Sequence, residues 1–134
     1  MAATGAPPAL EQGLVREFVA NAHGDLGAVG EALDLHPALA NACWDWGGGD
    51  WETALGAASH VGRRDIAELL FAHGARLDVF AAAMLGELEI VRAVLAAQPE
   101  ALQLLGPHGI PLRAHAEAGG EQARAVLELL DASA

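Results

Sequence analysis

The clearest hydrophobic pattern in the chain lies between residues 53 and 78, as two short apolar segments separated by a glycine. Small or apolar residues fill positions 54–58, which allows a helix there to lie close to its neighbours. The second segment has apolar residues at the i, i+3 and i+4 spacing of one buried helical face: Ile66, Leu69 and Leu70. Gly62 and Gly74 follow the two segments, where a left-handed backbone costs glycine little. The pattern predicts a helix–turn–helix unit.

Similar units recur along the chain, which indicates a repeat architecture. Identical residues stand at an offset of 62 positions, with Phe18, Ala20, Gly24, Leu26, Val29, Leu33 and Pro37 matched by Phe80, Ala82, Gly86, Leu88, Val91, Leu95 and Pro99. Near the C-terminus, Gly119 follows Ile110 by nine residues, as Gly62 follows Thr53. A flexible segment is predicted at residues 1–9. We then predict a single all-α domain, a stack of four helix–turn–helix repeats at about residues 10–42, 50–78, 79–105 and 108–131.

The spacing of the turn glycines is irregular. Gly62 and Gly86 are 24 residues apart, nine fewer than the 33-residue period of the last two units. The finger-like connection between these two units is therefore predicted to be missing, with Asp78 capping the next helix directly. Gly24 and Gly62 are 38 residues apart, and the additional residues fall in segment 43–52. That segment is predicted to be an enlarged finger.

The unit at residues 53–78 resembles the ankyrin repeat. Its matching parts are Thr53-Ala-Leu-Gly-Ala-Ala, Gly62, Asp65-Ile-Ala-Glu-Leu-Leu and Gly74-Ala-Arg-Leu-Asp. The spacing agrees throughout, but the family's proline is Ala54 here and its histidine is Gly56. The hydrogen bonds that this histidine usually makes at the turn are therefore not expected. The resemblance implies an ankyrin-like solenoid that binds other proteins through its concave face.

Composition and charge argue against several classes of protein. The formal net charge is −11 and the seven basic residues are scattered, whereas nucleic-acid binding needs clustered positive charge. No apolar run approaches the ~20 residues of a membrane-spanning helix, and the N-terminus lacks the pattern of a secretory signal. The single cysteine, Cys43, cannot form an internal disulfide. We therefore expect a cytoplasmic protein with no nucleic-acid partner, no membrane contact and no cofactor.

The enlarged finger contains the first candidate binding site. All three tryptophans of the chain lie in it, together with acidic residues around a glycine hinge. Such side chains in a loop can form an aromatic pocket with polar groups, or the rings can simply cover the side of the stack. The candidates are Trp44, Asp45, Trp46, Asp50, Trp51 and Glu52. The glycines at positions 47–49 match no phosphate-binding fingerprint.

The ankyrin resemblance implies a second set of candidates. In ankyrin repeats, the two residues before the turn glycine face the concave groove, and the chemically informative ones here are His23, His60, Met84 and Glu117. A histidine close to a carboxylate of the finger can act as a general acid or base. Solvated surface histidines are the alternative interpretation.

The six histidines also raise the question of a metal site. None stands in a His-Glu-x-x-His or His-x-x-x-His spacing, and Cys43 has no second cysteine near it. Zinc needs three or four convergent ligands, so the local spacing predicts no metal site. His108, at the tip of a tight finger before the last unit, is interpreted as a turn residue, with a place in the groove as the alternative.

Two functions follow from these patterns. The first is a protein–protein interaction module that uses the concave face and the tryptophan-rich finger, as the ankyrin resemblance implies. The alternative is a small-molecule-binding protein or acid/base enzyme, with a pocket between the enlarged finger and the groove histidines. A homodimer joined through the tryptophans is a third hypothesis. Exposed flat rings favour a protein partner, and rings turned toward a concavity favour a small ligand.

Overall fold

The computed structural model describes residues 5–134, and these form a predominantly helical fold, as predicted. The eight α-helices of this range are α1 (Gln12–Asn21), α2 (Leu26–Leu35), α3 (Ala54–His60), α4 (Arg64–Ala72), α5 (Val79–Leu85), α6 (Leu88–Ala97), α7 (Leu112–Ala118) and α8 (Arg124–Ser133). Short 3-10 turns lie at Pro37–Asn41, Pro99–Gln103, Pro107–Gly109 and Gly120–Ala123. Of the predicted flexible segment, residues 1–4 lie outside the described range, and residues 5–9 are exposed and outside any helix or strand.

A two-stranded antiparallel sheet interrupts the helices between α2 and α3. It consists of β1 (Cys43–Asp45) and β2 (Trp51–Thr53), with Trp44 opposite Glu52. The segment predicted to be an enlarged finger is therefore an ordered β-hairpin.

The helices pack in two rows. In the first row, α1 contacts α3, α3 contacts α5, and α5 contacts α7. Behind it, α2 contacts α4 and α6 contacts α8. The first row is close because small buried residues lie along it: Ala54, Ala57, Ala58, Ala81, Ala82 and Ala83. Two apolar clusters fill the space between the rows, one around Val19, Leu55 and Leu70, the other around Val91, Leu112 and Leu130.

Side-chain caps fix where several helices begin. The carboxylate of Asp25 accepts from the backbone N–H of Ala28, and the hydroxyl of Thr53 accepts from that of Gly56. The Asp78 carboxylate accepts from Ala81 at 2.8 Å, which confirms its predicted role as the cap of α5.

The connection between α4 and α5 is short. Residues 73–78 contain no strand, as the glycine spacing predicts. No finger therefore projects between the hairpin before α3 and the tight turn before α7. These two connections touch, because the backbone N–H of His108 donates to Asp50 at 2.7 Å. Helix α3 also contacts α7 directly.

Turn glycines allow different helix–turn–helix units to approach backbone to backbone. Gly62 and Gly86 have φ angles of 73° and 79°, in the left-handed region. A Cβ at Gly62 would lie 2.4 Å from the carbonyl oxygen of Ala118, and a Cβ at Gly86 would lie 2.0 Å from that of Gln122. Both positions therefore need glycine for conformation and for space.

We expect Gly62→Ala and Gly86→Ala each to lower the free energy of unfolding by about 2–5 kcal/mol. A left-handed Ala costs about 1–2 kcal/mol, and overpacking against a backbone carbonyl adds roughly 1–3 kcal/mol. Gly74 is the matched control, because its φ is 89° but a Cβ there meets nothing within 4 Å. Urea denaturation of the three variants checks this, and equal losses in all three would contradict the packing argument.

Candidate metal centre

The β-hairpin is shaped by its glycine turn. Gly47, Gly48 and Gly49 all have positive φ angles. The Asp45 carboxylate accepts from the backbone N–H groups of Gly47 at 2.8 Å and Gly49 at 2.9 Å, which closes the turn. The glycines therefore reverse the chain and set the register in which β2 returns.

Alternation along β2 separates its side chains. Successive residues of a strand point to opposite faces, so Trp51 and Glu52 face opposite ways. Trp51 is 60 % exposed, whereas Glu52 is 1 % exposed. The hairpin thus directs a carboxylate into the protein, where an isolated charge is costly unless it is paired.

Three imidazoles surround this carboxylate. The Nε2 atom of His23 lies 3.3 Å from Oε1 of Glu52, and the Nε2 atoms of His60 and His108 lie 3.1 Å and 3.2 Å from Oε2. His23 comes from the turn after α1, His60 ends α3, and His108 comes from the tight turn before α7. We call these four residues the His–Glu cluster.

Hydrogen bonds from Nδ1, the ring nitrogen that does not face Glu52, fix the orientation of two of the imidazoles. The Nδ1–H of His23 donates to the carbonyl of Ala20 at 3.0 Å, and the Nδ1–H of His108 donates to the Asp50 carboxylate at 2.8 Å. In their neutral forms, both rings therefore present an Nε2 lone pair to Glu52. Lone pairs of nitrogen and carboxylate oxygen repel each other at this distance unless a proton or a metal ion lies between them.

The backbone of His108 is held in an unusual conformation. With φ 62°, it is the one non-glycine residue with positive φ in the described range. Asp50 accepts from both its backbone N–H and its ring, at 2.7 Å and 2.8 Å. Such local strain persists where the surroundings fix it and is common at functional sites. Asp50 thus orients the His108 ring toward Glu52.

The carboxylates of Glu52 and Asp50 are both kept ionised by their contacts. Burial acts to raise the pKa of Glu52, but the contacts with His23 and His60 and the indole N–H of Trp46 outweigh it and hold the pKa at about 2. The contact with Glu52 raises the pKa of His23, against the effect of burial. The backbone N–H of His108, with its ring, lowers the pKa of Asp50.

Two buried atoms in the cluster have no hydrogen-bond partner. They are Oε2 of Glu52 and Nε2 of His60, which lie 3.1 Å apart without hydrogen-bond alignment. The Oε1 atom of Glu52, in contrast, accepts from the indole N–H of Trp46 at 2.8 Å. The unsatisfied pair therefore leaves one carboxylate oxygen and one imidazole nitrogen available to a shared cation.

A further histidine, His115, lies beside the cluster. Its ring centroid is 6.5 Å from that of His60, it is fully buried against Phe80, and burial lowers its pKa. Its Nδ1–H donates to the carbonyl of Pro111 at 2.9 Å. It stands outside the group of donor atoms that converge on Glu52.

Five of the ten binding residues predicted from the sequence lie in the His–Glu cluster or in contact with it. His23, His60 and Glu52 belong to the cluster, while Asp50 and Trp46 contact its members. The other five lie elsewhere. Trp44 packs partly against the core, Asp45 closes the hairpin turn, Trp51 is exposed, Met84 is fully buried, and Glu117 is exposed beside Arg113. Met84 therefore has no surface to offer a ligand, because its side chain points into the core rather than the groove.

His108 is the residue that sequence reasoning undervalued. The sequence feature that could have identified it is its position at the tip of the turn before α7. Because no finger stands between α4 and α5, this turn lies next to the hairpin. The absence of a metal site, predicted from local spacing, remains a prediction. The four potential ligands come from positions 23, 52, 60 and 108, and local spacing carries no information about such a set.

The comparisons with known proteins add no relative. No protein-family model, curated protein or solved structure matches the chain. None of the helices in residues 5–134 combines the length and apolarity that a membrane span needs. The function is therefore inferred from the geometry of the cluster.

We expect the tryptophans to differ in fluorescence. Trp51 is mostly exposed, while Trp44 and Trp46 pack against the core. Trp51→Phe should therefore remove the red-shifted, readily quenched part of the emission, and Trp46→Phe should leave that part in place. Emission spectra with a neutral quencher check this. Unchanged quenching in Trp51→Phe would contradict the orientation of β2.

Proposed function

We propose that the chain binds one divalent transition-metal ion through His23, His60, His108 and Glu52. The observation that carries this proposal is the convergence of four donor atoms, three Nε2 and one carboxylate oxygen, within 4.8 Å of one another. Bonds of about 2.0–2.1 Å to a tetrahedral ion would place neighbouring donors about 3.3 Å apart. The distances from Oε2 of Glu52 to the Nε2 atoms of His60 and His108, 3.1 Å and 3.2 Å, agree with this separation.

The outer contacts also support a metal ion. Ligating histidines generally donate their other ring N–H to a carbonyl or a carboxylate, which fixes the tautomer and orients the ring. His23 makes the first kind of contact, with Ala20, and His108 the second, with Asp50. The indole of Trp46 orients the Glu52 carboxylate in the same way.

The donor set indicates the class of ion. Three imidazoles and one carboxylate suit Zn²⁺ and its neighbours Fe²⁺, Co²⁺ and Ni²⁺. Ca²⁺ and Mg²⁺ prefer shells made of oxygen, so three nitrogen donors count against them.

The competing explanation is a cation formed by protonation of the imidazoles. It accounts for the raised pKa of His23 and corresponds to the acid/base function predicted as the alternative. On that explanation, zinc would have no specific site in the cluster. Direct binding measurements separate the two.

We expect the metal-free protein, prepared with a chelator, to bind one Zn²⁺ per chain in isothermal titration calorimetry. At an ion concentration about 100 times Kd, binding adds about 2.7 kcal/mol to the free energy of unfolding. That corresponds to a rise in Tm of roughly 10 °C for a domain of this size. His60→Ala should abolish the binding and the shift, whereas His36→Ala, which removes an exposed histidine outside the cluster, should leave both in place.

Loss of zinc binding in both variants, or in neither, would contradict the assignment. A Tm that does not respond to zinc in the wild-type protein would favour the protonated cluster.

Asp50→Asn should weaken zinc binding about 10–100-fold, which is the usual cost of removing an outer carboxylate. The asparagine keeps a similar shape but loses the charge that orients the His108 ring. The stoichiometry should remain one ion per chain in calorimetry. Glu117→Gln is the control, because this exposed carboxylate lies outside the cluster. Equal affinities in Asp50→Asn and the wild type would exclude an orienting role.

Protein binding is a second candidate function. We propose that the paired helices are ankyrin-like repeats, since they alternate in two rows and turn at glycines. A specific observation favours a partner-binding surface beside the hairpin. Trp51 and Leu105 are 60 % and 64 % exposed, and both line one cleft together with Phe80 and Pro107.

A partner that docks on this cleft should depend on Trp51. We expect Trp51→Ala to leave folding and zinc binding unchanged and to remove one specific protein from those retained by the immobilised wild-type chain. Direct titration of that purified protein against both chains measures the loss. Retention of the same proteins with the same affinity by both chains would contradict this role for Trp51.

A further inference from the structure

Exposure changes systematically across the His–Glu cluster. The side chain of Glu52 is 0 % exposed and that of His60 is 12 % exposed. Those of His23 and His108 are 29 % and 33 % exposed. Solvent therefore reaches the cluster from the side of His23 and His108, opposite the buried carboxylate.

Three partly exposed rings border this open side. The centroid of Trp46 lies 6.4 Å from that of His23 and 6.3 Å from that of His108, and the two histidine centroids are 6.1 Å apart. The three centroids thus form a nearly equilateral triangle. Rings at these separations pack against one another, so a ligand that reaches the ion between them must be small.

The protein donors leave room in the coordination shell. The Oε1 atom of Glu52 is occupied by the indole N–H of Trp46, so the carboxylate offers the unsatisfied Oε2 as its one donor. With three imidazoles this makes four protein donors, and the ions favoured by this set include several that accept five or six ligands.

Charge indicates the class of the remaining ligand. A divalent ion with the Glu52 carboxylate and three neutral imidazoles has a first shell of net charge +1. The ionised Asp50 carboxylate beside His108 offsets this charge from outside the shell, so the position accepts either a neutral water or a small monoanion.

We propose that the ion in this centre keeps one exchangeable position, on the side of His23, His108 and Trp46, for water or a small monoanion. This inference depends on the proposed metal-binding function and adds to it one exchangeable ligand beyond the four protein donors. In the exchange, the bound water leaves with its electron pair and the anion donates its own, so the charge of the first coordination shell falls from +1 to zero. At neutral pH, the same position supplies a metal-bound water with a lowered pKa.

The test uses Co²⁺ as a spectroscopic probe in the full chain and azide as the anion. Co²⁺ in a site of nitrogen and oxygen donors gives visible d–d bands that depend on its ligands. We expect azide to shift these bands in a saturable manner, with one azide per cobalt, while the cobalt stays with the protein on dialysis. Acetate should produce a similar shift, and the bulkier pivalate should not.

Control variants separate this inference from the proposed function. His60→Ala should show no cobalt bands, and His36→Ala should show both the bands and the azide response. Failure of the wild-type protein to give cobalt bands would overturn the metal centre itself.

If the cobalt bands form but azide leaves them unchanged, the exchangeable position is overturned and the metal centre is not. The four protein donors would then fill the coordination shell. Release of the cobalt by azide, seen on dialysis, would also overturn the exchangeable position. A shift caused equally by pivalate would contradict the small opening that the three rings form.

Discussion

The burial of the Glu52 carboxylate is the interaction on which the hairpin and its surroundings depend. A charge removed from water must be paired and hydrogen-bonded, and the groups that do this for Glu52 come from four separate parts of the chain. Trp46 approaches from the hairpin itself, His23 and His60 from the ends of α1 and α3, and His108 from the turn before α7. The carboxylate therefore ties the hairpin to the helical stack.

The short connection between α4 and α5 makes this arrangement possible. A finger of ordinary length at residues 73–78 would stand between the hairpin and the turn at Pro107–Gly109. Without it, Asp50 reaches the backbone and the ring of His108. In the sequence, the missing finger suggests a smaller contact surface. In the structure, its absence allows a third imidazole, that of His108, to reach Glu52. We infer that the irregular spacing of the turn glycines serves the site.

Much of the fold could be predicted because it depends on local rules. The glycine stops, the Asp78 cap, the short connection and the lengthened finger all follow from spacing and backbone preferences. The cluster could not be predicted in the same way, because its members are joined by packing between distant segments. Alternation in β2 would have indicated that Glu52 points inward, but the finger was interpreted as a loop around a glycine hinge. For Met84 the expectation itself is wrong. The ankyrin pattern implies a groove position for it, whereas its side chain is buried in the core.

The central claim is that three imidazoles and one carboxylate share a metal ion. X-ray absorption spectroscopy at the zinc edge of the zinc-loaded protein tests it most directly, because it reports the ligands of the ion itself. The account predicts a first shell of nitrogen and oxygen at about 2.0–2.1 Å, with the outer-shell scattering of three imidazole rings. A shell of oxygen alone, or with scattering from fewer than two imidazoles, would contradict it.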